Sequence, residues 1–240
     1  MSALAAQARA EVIMTLRRGE SALLALGIPV LLLAFFSVVD VLPTGSDDPV
    51  RFLFPGILAL AVMSTAMVSL AIATGFERQY GVLKRLGATP LGRPRLLGAK
   101  TLSILGIEVV QFVVLLVEAL LLGFRFGDAR FLPAIAAMLL ATIAFAGIGM
   151  LLAGTLPALT TLAAANGLYI VLLLLSGMLV PIAKLPGAVA GVAKALPSGA
   201  LSEALHDSLS GLAVPAHAWI VLVVWAVVAP VIASRLFRWE

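Results

Sequence analysis

Six long apolar runs, at 22–39, 53–74, 101–124, 131–156, 160–180 and 218–236, decide what this chain can fold into. A helix needs about 20 consecutive apolar residues to cross a bilayer core. Continuous apolar character, without alternation, excludes the strands of a barrel. The expected fold is therefore an all-α membrane protein with six transmembrane helices, read as one transmembrane domain over 1–240. Composition agrees: 62% of residues are hydrophobic and 12% charged, where soluble domains run at about 45–50% and about 25%. The first run is too long for a signal-peptide core. The "VVDVLPTG" after it has no small-x-small cleavage site, so the run is read as a helix of the mature protein. There are no cysteines, which excludes disulfides and thiolate metal sites.

Charge sets the orientation. Counting Lys and Arg, one side carries eleven (the N-terminal segment, the 75–100 connector and the C-terminal end) and the other five. The positive-inside rule then places both termini in the cytoplasm. Without the connector the count is five against five, so the connector decides it. An isoelectric point near 10.0 does not point to nucleic acid here, because the basic residues sit in loops beside apolar runs. Residues 2–20 place Leu4, Ala8, Val12 and Leu16 four apart, the pattern of an amphipathic helix lying at the inner interface.

The connector reads "GFERQYGVLKRLGATPLGRPRLLGAK". Gly75 and Gly81 bracket "FERQY", and "VLKRL" offers one helical turn. Val82, Leu83 and Leu86 lie on its apolar side, Lys84 and Arg85 on its basic side. Pro90 and Pro94 are expected to stop further helix growth. Two readings stand on these residues: an ordered ridge for a groove on another protein, or a basic topology anchor beside anionic lipid.

Within the third run, Glu108, Gln111 and Glu118 share one side at about 100° per residue. Polar groups at depth turn inward or are neutralised. Glu108 and Gln111 are read either as an interior polar stripe touching substrate or a proton, or as packing contacts; Glu118 is read as packing. Small residues pair four apart at Gly149/Ala153 and Ala163/Gly167, which lets helices approach closely. The 181–217 segment carries two apolar stripes, one of Leu185, Val189, Val192 and Leu196, the other of Leu201, Leu205 and Leu209. It is expected to form two short helices dipping into the outer leaflet. No membrane-enzyme pattern is present: there is no HExxH, and His206 and His217 lie outside the runs.

The connector closely resembles the cytoplasmic loop of ABC type-2 transporter permeases, among them the daunorubicin-type drug-resistance exporters of bacteria. The matching residues are Glu77, Arg78, Gly81, Leu83, Lys84, Arg85, Leu86, Thr89, Pro90 and Lys100. The stretch 177–211 is similar to the family's segment before its last span, with Leu185-Pro186, Leu196-Pro197 and Gly211 in place. It departs at His206, where the family often has Arg.

The resemblance implies a permease that moves amphipathic drugs or lipid-like compounds across the bacterial cytoplasmic membrane. It implies two permeases, identical or homologous, working with two ABC ATPase subunits that hold ATP and Mg. No G-x-x-x-x-G-K-[ST] phosphate loop occurs in the chain. The resemblance makes Glu77, Arg78, Gly81, Val82, Leu83, Lys84, Arg85, Leu86 and Pro90 the ATPase-coupling element. It puts Met63, Met67, Asn166 and Tyr169 near the transport path, with Glu108 and Gln111. Export of a polymer or lipid-linked sugar, and a non-transport role stabilising or sensing for a partner, are the alternatives.

Overall fold

A computed structural model of the chain describes residues 19–39, 49–87, 92–179, 181–184 and 186–238. The interface helix expected over 2–20 lies almost wholly outside these residues, as does Pro90. Among the described residues there are helices and turns and no strands. In chain order they are α1 (Gly19–Val38), α2 (Pro49–Gln79), α3 (Val82–Gly87), α4 (Gly92–Leu121), α5 (Phe131–Thr155), α6 (Ala158–Leu174), α7 (Gly187–Ala195), α8 (Pro197–Leu209) and α9 (Ala216–Leu236).

Among the described residues, four helices are long and apolar enough to cross a membrane: α2, the Gly98–Leu121 part of α4, α5 and α9. Two more apolar helices, Leu26–Val38 within α1 and Ala158–Leu174, are shorter.

Helix α2 is the buried rod of the bundle, packed by α1, α4, α5, α6 and α8. It runs past Thr74 through Phe76–Gln79, so "FERQ" is helical where a glycine-bracketed turn was expected. Gly75 makes no turn. A Cβ there would lie 3.4 Å from the Thr161 side chain, so a small residue lets α2 and α6 meet. Only Gly81 turns the chain, at φ +71°, a conformation glycine adopts without strain. Pro94 likewise does not stop a helix. It falls in the first turn of α4, where a missing N–H costs nothing. Inside α2, residues Ser64–Ser69 form a π-turn, which widens the helix locally.

Helix α5 is the other hub, against α9, α8 and α2. Ala134, Ala137, Ala141 and Ala144 on its inner face are wholly buried. A Cβ on Gly147 would lie 2.5 Å from the Pro230 nitrogen of α9, and one on Gly149 2.6 Å from the Met67 carbonyl oxygen. The Gly149/Ala153 pair therefore works inside the chain. The Ala163/Gly167 pair does not: Gly167 faces open space.

The 181–217 segment does form two short helices, but their burial is unequal. In α8, Leu201 and Leu205 are wholly buried and Leu209 nearly so, against α2, α5 and α9. In α7, Val192 is exposed. Trp225 donates its indole N–H to the Ala195 carbonyl at 3.1 Å. Trp225 lies about 14 Å along α9 at 1.5 Å per residue, so the α7–α8 turn sits beside the middle of α9.

Candidate functional site

The chain brings its sequence-singled residues together in three places. The first is the end of the bundle that bears the α2–α4 connector. Glu77 and Lys100 form an ion pair at 2.6 Å, Lys100 almost fully buried and Glu77 one-third exposed. Arg78 donates to the Leu156 carbonyl just past the end of α5. These two bonds tie both roots of the connector to the bundle. Between them stands α3. Its Leu83 is buried, whereas Val82 and Lys84 are exposed. The side chains of Arg85 and Leu86 lie outside the described residues. A groove of about 480 Å³ beside α3's root is lined by Gly75, Arg78, Gln79, Pro157, Ala158 and Leu159. Of the residues assigned to coupling, Glu77, Arg78 and Leu83 are thus held within the chain, while Val82 and Lys84 are solvent-exposed.

The second place is interior. Glu108 and Gln111 of α4 are buried on the face that meets α2 and α5. Gln111 exchanges hydrogen bonds with Thr65 in the π-turn, its Nε2 donating at 2.9 Å and Thr65 Oγ1 lying 3.2 Å from its Oε1. Glu108 Oε2 lies 2.6 Å from Thr142 Oγ1 of α5. The sequence marked the acid Glu108 and the amide Gln111, but not their partners Thr142 and Thr65. Glu118 lies further along α4, with Oε2 buried and without a hydrogen-bond partner.

The third is a cleft of about 210 Å³ between α1, α2 and α6, lined by Ile28, Pro29, Leu60, Ser64, Val68, Asn166 and Tyr169. Asn166 and Tyr169 line this cleft. Met63 and Met67 do not: both are wholly buried in the core, and the Met67 backbone abuts Gly149. The residues of α2 that reach the cleft are Leu60, Ser64 and Val68, four apart. Ser64, a hydroxyl inside an apolar run, was the available signal for that face.

At the far end, α8 carries His206, wedged between carbonyls with Nε2 3.0 Å from that of Phe52 and Nδ1 2.7 Å from that of Ser202. Glu203 pairs with His217 at 2.6 Å. Burial lowers the His206 imidazole from its ordinary value, against the opposing pull of the two carbonyls. A base that holds its proton less tightly when folded destabilises the fold as acid is added. The melting temperature is expected to be level above about pH 6.5 and to fall below it until the lowered folded value is passed. His206→Gln should flatten that acid limb. Asp207 acts oppositely and in a lower window. Burial, then Glu203, raise its carboxyl while His217 lowers it, so its contribution is lost as pH rises from about 3.9.

A family model described as ABC-2 type transporter matches residues 3–209. The chain belongs to this family: it is a membrane-embedded, multi-pass permease component of an ABC transporter. No curated protein matches the sequence.

Proposed function

We propose that the chain is the membrane subunit of an ATP-driven exporter of the bacterial cytoplasmic membrane. Its α2–α4 connector would seat in a cleft of a separate ABC ATPase, which holds ATP and Mg. The observation that supports this most directly is the double tether at the connector's roots. Glu77–Lys100 and Arg78–Leu156 make the connector continuous with α2, α4 and α5. Motion imposed on α3 would then be delivered to α2, which lines the cleft of about 210 Å³ together with α1 and α6. A topology anchor needs charge only; it does not need tethers.

In this reading α1 and α6 also span, giving six crossings with both termini cytoplasmic, and the α7–α8 pair re-enters from outside. The unpartnered face of α6, with Ala163, Asn166 and Gly167 among Leu and Val, takes the second permease, identical or homologous, and two ATPases complete the unit. The cleft is mostly apolar, with Ser64, Asn166 and Tyr169 as its hydrogen-bonding groups. That lining suits an amphipathic drug or lipid-like compound with one polar end.

The test is co-purification from native membranes in mild detergent, comparing wild type with Val82→Asp. Val82 is exposed, so the permease should accumulate normally. The expected result is an ATPase subunit bound to wild type and reduced at least tenfold on the variant. An ATPase held equally by both would remove α3 from the interface. No ATPase with either would sink the exporter reading.

A further inference from the structure

We propose that Glu108 is a proton-binding site: a neutral carboxylic acid in mid-membrane that donates a hydrogen bond from Oε2 to Thr142. The proposal rests on counting hydrogens. Thr142 Oγ1 lies 2.6 Å from Glu108 Oε2 and 2.8 Å from the Met138 carbonyl, one turn back along α5. A hydroxyl has a single hydrogen. A helical threonine commonly spends it on the carbonyl four residues earlier. That carbonyl has no hydrogen to offer, so if both contacts are hydrogen bonds, one hydrogen must come from the carboxyl. The 2.6 Å separation falls in the range of an O–H···O bond.

Three further observations agree. The other carboxyl oxygen, Oε1, is buried without any hydrogen-bond partner, whereas an ionised carboxylate calls for donors on both oxygens. Glu108 itself is only 3% exposed. It stands ten residues from Gly98 in a span that ends at Leu121, about 15 Å along the helix, where a bare charge costs several kcal/mol.

No counter-charge is at hand among the described residues of the neighbouring helices. Residues 21–38 of α1, 52–76 of α2, all of α5, and 101–117 of α4 apart from Glu108 contain no Asp, Glu, His, Lys or Arg. The polar groups facing this region are Thr142, Thr65 and Gln111, and none of them titrates. A metal cation would need several oxygen ligands, and the carboxyl has one hydroxyl partner. A proton needs only one.

The bound proton has a structural consequence. It joins α4 to α5 at the same level where Gln111 joins α4 to the π-turn of α2. Losing it would set a carboxylate against a hydroxyl whose hydrogen is already committed, so the three helices are held together by the acid form.

Infrared difference spectroscopy on the purified chain in lipid nanodiscs tests this. Glu108→Gln should remove a carbonyl-stretch band of a protonated carboxylic acid present in wild type at neutral pH. Thr142→Val should shift that band upward, because the carboxyl hydrogen loses its acceptor. The melting temperature is a second reading. Gln keeps a donor toward Thr142, so Glu108→Gln should melt close to wild type and Glu108→Ala clearly lower. If Glu108→Gln removes only carboxylate bands, or the Glu108 band responds to sodium and not to proton concentration, the proposal is overturned.

Discussion

A chain carrying Gly56→Val is expected to vanish from the membrane fraction, or to survive only as aggregate. A Cβ at Gly56 would lie 1.9 Å from the Met178 carbonyl oxygen and 2.9 Å from its carbon. Those are backbone atoms and cannot rotate away. Met178 is wholly buried in the turn that follows α6, next to Gly177 at φ +74°, so the turn has little freedom to retreat. Overpacking of a core costs about 1–3 kcal/mol when side chains can adjust. Here backbone must move, and the cost should exceed that range, against a total stability of about 5–15 kcal/mol. Gly167→Val is the control, since nothing lies within 4 Å of its Cβ. It should leave the single chain folded. Fluorescence-detected size-exclusion chromatography reads both. A monodisperse Gly56→Val peak of wild-type height would show that the α2–turn contact is looser than described.

The second large effect is expected at the tether. Lys100→Glu sets two carboxylates together where a 2.6 Å ion pair stood. Lys100 is almost fully buried but Glu77 is one-third exposed, so the cost should lie between the about 1 kcal/mol of an exposed pair and the about 3–5 kcal/mol of a buried one. The variant should melt well below wild type and lose most of its bound ATPase. Exchanging the charges, Glu77→Lys with Lys100→Glu, should restore a large part of both. Restoration of melting without restoration of ATPase binding would separate the tether from coupling. Failure of both, with a folded double variant, would mean that Lys100 matters through contacts other than Glu77.

The sequence carried the coarse layout well, because hydrophobic run length is a one-dimensional property. Helices occur in all six runs, and both short helices of 181–217 are present. Glu108 and Gln111 were legible as inward-facing, since buried polar groups in a lipid-facing chain have nowhere else to go. Three features were hidden for physical reasons. Where α2 ends depends on Lys100, 23 residues beyond Glu77 along the chain, so local signals alone put its boundary at Thr74. The surroundings of Gly75 depend on Thr161 across the bundle; read alone, the glycine only marked the start of "FERQY". The faces of Met63 and Met67 depend on the π-turn, which shifts the helix register in a way that regular 3.6-residue spacing does not anticipate.

That π-turn has a mechanical meaning. An unbroken α-helix behaves as a torsionally stiff shaft, so a twist applied at Gln79 would arrive undiminished at Pro49. A six-residue π segment at Ser64–Ser69 is a place where carbonyls can exchange partners between the fourth and fifth N–H along. If the connector is the coupling element, twist entering from it would be absorbed there as a change of winding, level with the cleft at Ser64 and Val68. The half of α2 before the π-turn, held through Phe52 to His206 and through Gly56 to Met178, would then stay still while the half after it turns.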